Sequence, residues 1–146
     1  MRRAVVAVLG AATLALPAVN AVAATTAKAA PKRKVVVKTK SFTGTAGSAD
    51  RWGEVQVTIV VKKTTTTNLT TRKTTVKRRI TAVKVPVYPD HTGRSIFISE
   101  NALPLLVQET IQAQSSAIDL ISGATFTSQG FDESLHSALL KAKAWK

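Results

Sequence analysis

Gly53–Lys63 reads GEVQVTIVVKK. Its apolar residues fall at every second position. Val55, Val57, Ile59 and Val61 share one side, and Glu54, Gln56, Thr58 and Val60 the other. A period of two is the mark of a strand with one buried face. The preceding GTAGSADRWG (Gly44–Gly53) is rich in Gly, Ser and Asp, the residues of turns. Before that, KVVVKTKSFT (Lys34–Thr43) is β-branched and reads as a first strand. On the other side, VKRRITAVKVPVY (Val76–Tyr88) reads as a further strand, and Pro86 near its end places it toward an edge. TTTTNLTTRKTT (Thr64–Thr75) lies between the two with high strand propensity and little to bury. It reads as a hairpin extension or a loop.

The second half changes period. PDHTG (Pro89–Gly93) is a turn, and Ser95–Ser99 reads as a short extended piece. A helix is expected to start with Asn101 as cap and Pro104 in the first turn, where no backbone N–H is needed. Leu103, Leu106, Val107 and Ile111 recur at helical spacing, and the helix is expected to end near Gln114–Ser116. AIDLI (Ala117–Ile121) is short and apolar and reads as a strand. A last helix is expected from Thr127 or Ser128. Asp132 and Glu133 then fall in its first turn and Lys141 and Lys143 in its last, as the helix dipole favours. Phe131, Leu135, Ala138, Leu139 and Ala142 form its apolar stripe. Strands first, then helix, short strand and helix, predict an α+β fold. It is a single domain with a mostly antiparallel sheet and two main helices packed on it.

The N-terminus has its own logic. Met1-Arg2-Arg3 is followed by an apolar run, Ala4–Leu16, then Pro17 and the small-x-small site Ala21-Val22-Ala23. That is the layout of a secretory signal peptide over 1–23. The run is shorter than the ~20 residues a spanning helix needs. Residues 24–34, Ala/Thr/Lys with Pro31, read as a basic flexible tether, and 35–146 as the folded domain, with 64–75 its Thr/Lys-rich extension. The prediction is export across the cytoplasmic membrane, to an extracytoplasmic place, soluble or loosely surface-associated. The chain has no cysteine, which excludes a disulfide framework and a lipidated cysteine. Its net charge of +13 becomes +11 without Arg2 and Arg3, and most cations lie between Lys28 and Lys84. Such a domain is drawn to anionic surfaces. Nucleic acid is not expected as a partner, because the basic stretch lacks interleaved aromatics.

The chemistry concentrates at IDLISGATFTS (Ile118–Ser128). Gly123 and Ala124 let something approach the backbone closely. Ser122, Thr125, Thr127 and Ser128 supply hydroxyls, and the helix that follows supplies free N–H groups and a positive dipole end. A phosphate is the natural guest of such a corner. The same residues also fit a bare turn and helix caps.

DLISGATFTSQGFDESLHSALLKA (Asp119–Ala142) resembles the C-terminal signature of the FMN-binding domain family, known in small exported flavoproteins and in a small subunit of the sodium-pumping NADH:quinone reductase. WGEVQVTIVV resembles that family's early strand, and ISENALPLLVQETIQAQSSAIDLISGAT its helix-plus-motif block. The likeness covers most of the chain after the tether; the Thr-rich segment and the basic N-terminus depart from it. The resemblance implies FMN as cofactor, carried through a phosphoester on Thr125. It implies Ser122, Gly123 and Ala124 as motif residues, Thr127 and Ser128 as phosphate donors, and Asp119 as read by a flavin transferase. Phe42, Trp52, Phe97, Phe126 and Phe131 are aromatics available to a flavin ring. Phe131 fits the helical stripe and so the core, whereas Phe126 suits core and flavin equally.

No catalytic set accompanies this motif. His91, in a turn, and His136, on the last helix, make no metal site. Two readings therefore remain open. One is an exported electron-transfer protein with redox partners at the membrane or outside it. The other is a non-redox module gripping acidic cell-surface polymers with its basic N-terminal half.

Overall fold

The computed structural model describes residues 32–146. The expected signal peptide and residues 24–31 of the expected tether lie outside the described residues. The elements are β1 (Arg33–Thr43), β2 (Gly47–Ser48), β3 (Glu54–Asn68), β4 (Thr74–Val87), α1 (Gly93–Ala113) and α2 (Thr125–Lys143). A single 3-10 turn, Asp50–Trp52, precedes β3. The α+β reading holds. All strand pairs are antiparallel, and β3 is the strand they share: it pairs with β1, with β4 and, through its first two residues, with β2.

The alternation of β3 is realised. Val55, Val57, Ile59 and Val61 are buried in one cluster with Phe131, Leu135, Ala138 and Ala142 of α2 and Leu103 and Leu106 of α1. Each Val, Ile, Leu or Phe among them, fully buried, contributes about 1.5–3 kcal/mol relative to exposure. Thr64–Thr75 resolves as the hairpin extension: β3 runs on to Asn68, the chain turns, and β4 resumes at Thr74. The Asn68 side chain makes the turn by accepting from the Thr70 and Thr71 amides (2.9 and 3.3 Å). Pro86 lies where β4 slips register against Gln56–Thr58, the kind of place that does not need its missing N–H.

One seam joins sheet and helix. The chain leaves β1 and steps into β2 through Gly44 and Gly47. A Cβ at Gly44 would strike the Ser134 backbone and hydroxyl, and one at Gly47 the Gly130 carbonyl. Two backbones thus meet where side chains would hold them apart. The Ser134 hydroxyl accepts the Val57 N–H (2.8 Å), and the Val57 carbonyl accepts the Gly44 N–H (2.8 Å). At the far end of α1, Gln114 takes the left-handed conformation (φ 54°). Its carboxamide accepts from Ile80 N–H (2.8 Å) and donates to Ile80 C=O (3.0 Å), so it covers part of the outer edge of β4.

Four expectations are corrected. First, α1 starts at Gly93 rather than near Asn101: Thr92 is the cap, in a reciprocal capping box with Ser95. Ser95–Ser99 is therefore helical, and Pro104 sits inside the helix, unable to donate to the Glu100 carbonyl. Burial of Ser95, Ser99, Ala102, Leu103, Leu106 and Thr110 along one side outweighs that loss. Second, Ala117–Ile121 is not a strand. Its amides find other partners: Asp119 N–H donates to Glu109 Oε1 (2.8 Å) and Ile121 N–H to Ser128 Oγ (3.2 Å). Third, α2 begins at Thr125, which puts Asp132 and Glu133 beyond its first turn. Lys141 and Lys143 are in its last turn, as expected. Fourth, β1 takes in Arg33 and Lys34, so the folded part begins before residue 35.

Two measurements follow from this packing. Ser134→Ala leaves the buried Val57 amide unpaired and lowers unfolding free energy by about 1–3 kcal/mol in urea titration. Ser137→Ala, which removes exposed bonds to Thr45, costs clearly less. The second concerns Asp132, whose Oδ1 is buried without a hydrogen-bond partner. Desolvation raises its pKa above the ordinary 3.8, His136 opposes the rise, and Glu133 adds to it. The unfolded chain ionises this group first, so stability falls as pH climbs from the ordinary value through the folded one. Asp132→Asn accordingly has the higher thermal midpoint at neutral pH, and the gain shrinks as pH falls through the raised folded-state value and is gone below about 3.8.

Candidate functional site

A cleft of about 240 Å³ opens where three segments meet. The 3-10 turn brings Arg51 and Trp52. Pro89 and the first turns of α1 bring Arg94, Ser95 and Ile98. The entry to α2 brings Gly123, Ala124, Thr125, Phe126 and Thr127.

The entry to α2 is a tight turn. Ala124 N–H donates to Ile121 C=O (3.0 Å), and Gly123, third in that turn, has φ +82°. Glycine serves this geometry because other residues are strained there. A Cβ on Gly123 would meet nothing within 4 Å, so the backbone beside Thr125 is open to approach. Thr125 is the first residue of α2 and is exposed.

The two helices begin differently. α1 is closed by its own side chains: Thr92 Oγ1 accepts from Ser95 N–H (3.1 Å), and Ser95 Oγ accepts from Thr92 N–H (3.0 Å). The cap position of α2 is Ala124, which has no oxygen to offer, and no side chain caps that end. The first-turn N–H groups of α2 have no acceptor within the helix. Thr125, Phe126 and Thr127, the first residues of α2, line the cleft at the positive end of a helix dipole.

Arg51 and Arg94 also line the cleft, with no carboxylate among the lining residues, although Asp50 lies 4.0 Å from Arg51 Nε. Arg51 also lies over the Trp52 ring, 5.6 Å from its centre. Trp52, Pro89, Ile98 and Phe126 give the cleft apolar walls. Such a site suits a molecule with an anionic end and a flat apolar body. FMN has both: its phosphate fits the uncapped helix end and the arginines, and its ring system fits the aromatic and aliphatic walls.

The structure brings together Gly123, Ala124, Thr125 and Thr127 of the residues singled out in the sequence. Ser122 is exposed in the turn but outside the lining. Ser128 is fully buried, and its hydroxyl holds the Ile121 amide instead of facing the cleft. Asp119 is exposed on the approach to the turn. Of the aromatics, Trp52 and Phe126 line the cleft, Phe42 and Phe131 are core, and Phe97 stands exposed away from it. Sequence reasoning missed Arg51, Arg94, Ser95, Pro89 and Ile98. The Thr92-x-x-Ser95 spacing was the available signal for the start of α1, and with it for the placement of Arg94.

No curated protein matches the chain. A family model does: the FMN-binding domain matches residues 50–140, which take in the 3-10 turn, β3, β4, α1, the tight turn and most of α2. With more than half of its length under that match, the chain belongs to the FMN-binding domain family, and its cofactor is FMN.

Proposed function

We propose that this protein is an exported electron-transfer flavoprotein whose FMN is esterified to Thr125. The observation that carries the reading is the position of the Thr125 hydroxyl. Thr125 is exposed, at an uncapped helix end, beside a glycine that leaves the backbone open. A modifying enzyme needs that access, and the phosphate it leaves behind needs those donors.

Attachment requires an activated flavin phosphoanhydride as donor. The Thr125 Oγ–P bond forms, the anhydride P–O bond breaks so that the donor's other phosphate leaves with the bridging oxygen, and the hydroxyl proton passes to the transferase or to solvent. In this reading Asp119 and Ser122, exposed ahead of the threonine, present the motif to the transferase. Once the phosphate is in place, the first-turn amides of α2 and the Thr127 hydroxyl orient it. Arg51 and Arg94 balance its charge, and Trp52 and Phe126 flank the ring.

Bound FMN supplies one- and two-electron chemistry; the protein supplies position and electrostatics. The lining side chains are guanidiniums, hydroxyls and apolar surfaces. They hold and orient, which is what an electron carrier asks of its protein. The redox partners are then proteins at or outside the cytoplasmic membrane, reached after export directed by residues 1–23.

Intact mass of the protein exported beside an active flavin transferase tests this directly. The expected result is a chain lacking its signal segment and heavier by one FMN less water. Thr125→Val loses the denaturation-resistant flavin, while Thr127→Val keeps it. Flavin that survives denaturation on the Thr125→Val variant overturns the attachment site. For reversible binding, Arg94→Gln weakens the uptake of free FMN by about tenfold or more in a fluorescence titration. That matches the roughly 1.5–3 kcal/mol of a charged hydrogen bond.

A further inference from the structure

The sheet runs beyond the layer of helices. Residues 32–40 of β1 and its approach are exposed, as are 71–79 of the turn and β4, whereas the buried stretch of β3 ends at Val61. This outer ribbon carries Lys and Arg but no Asp or Glu. Its register stacks the cations. Lys38 stands opposite Lys63, and Lys63 opposite Arg78. On the other face Lys62 stands opposite Arg79, with Lys77 two residues further along β4.

Like charges directly opposite one another across strands repel and destabilise. Nothing nearby relieves them: among the described residues the one ion pair is Arg51–Asp50, in the turn before β3. Arg78 donates to the Trp145 carbonyl (2.8 Å), and the Lys63 ammonium lies 5.2 Å from the Trp145 ring centre. These contacts fix the two cations in place and leave their charge unneutralised. Lysines on edge strands often serve only to prevent edge-to-edge pairing. That account does not reach Lys62 and Lys63, because β3 is paired on both sides there.

We propose that this ribbon is a docking surface for a linear polyanion, a chain of repeating phosphate or carboxylate groups. Residues in one row stand about 4.8 Å apart across strands, and alternate residues along a strand about 6.7 Å apart, a lattice on which long cationic side chains can follow repeating anions. Both faces carry a row. A flexible polymer can engage the two, whereas a flat bilayer meets one face at a time. With the hairpin tip against a bilayer, Lys63 would stand about 17 Å from Asn68 along β3, beyond a Debye length of ~8 Å. Residues 32–40 and 62–79 include no aromatic residue on which a nucleobase would stack, and the Trp145 ring beside them is engaged with Phe42 and the Lys63 ammonium. The inference does not depend on the flavin, since none of these residues lines the cleft.

The test uses the full chain and two probes, inorganic polyphosphate and poly-glutamate, titrated at several salt concentrations. The expected result is binding to at least one, with log affinity falling linearly in log salt. The Lys62→Gln, Lys63→Gln, Arg79→Gln triple variant loses at least tenfold in affinity and has a shallower salt slope. A variant with Lys84→Gln and Lys141→Gln, cations that lie off the ribbon, stays within about twofold of the parent, while counterion release at the ribbon is untouched. Circular dichroism and an unchanged FMN titration confirm that both variants are folded. Preference between the probes assigns the phosphate or the carboxylate polymer. Absence of binding to both overturns the proposal, as does equal loss in the two variants. Binding to phosphatidylglycerol vesicles that polyphosphate and poly-glutamate fail to displace also overturns it, in favour of a lipid surface.

Discussion

The close meeting of β2 and the end of β1 with α2 is the constraint on which the rest of the molecule depends. Gly44 and Gly47 remove the side chains that would separate sheet from helix, and Gly130 and Ser134 present backbone and a hydroxyl to them. The Ser134 hydroxyl then takes the Val57 amide of the central strand. This sets the height and direction of α2 against the sheet. Because the helix is rigid, it also sets where Thr125 stands. Burial of Phe131, Leu135, Ala138 and Ala142 in one cluster with the β3 residues supplies apolar stabilisation, and the glycine seam supplies the registration.

The two helix starts show how one fold divides structural from functional demands. At α1, Thr92 and Ser95 satisfy each other, so that this end is a finished piece of structure. At α2, Ala124 stands where a capping oxygen would be worth about 1 kcal/mol. The missing cap leaves donors free for a ligand, and the neighbouring tight turn with Gly123 clears the path to them. Arg94 reaches the same cleft because α1 starts early. A helix beginning at Asn101 would have left Arg94 in a loop with no fixed relation to Thr125.

What the sequence made legible follows from where side-chain periodicity reports burial. The strand at 54–61 was plain because its buried face is all Val and Ile. The stripe of α2 was plain for the same reason. The first two turns of α1 were not, because their buried positions are Ser95 and Ser99, which an apolar count passes over. Ser99 is there for its hydroxyl, which donates to the Pro89 carbonyl (3.1 Å). Ala117–Ile121 misled in the opposite way: Ile118 and Ile121 pack on the core from an irregular segment. Their apolar character signalled burial and not a strand. At the site, the small-residue turn was readable from its spacing and Thr125 from its resemblance. Arg51 and Arg94 lie singly in turn-like stretches, and only the fold brings them to one place.

The length of β3 separates two electrical environments. Its fifteen residues link the turn that holds Arg51 and Trp52 to the hairpin tip at Asn68. Glu54 and Lys63 alone are about 30 Å apart along the strand, several times the distance over which salt screens charge. Whatever ionic crowd gathers at the ribbon is therefore hardly felt at the cleft. A pigment held there would feel chiefly the charges of its immediate walls.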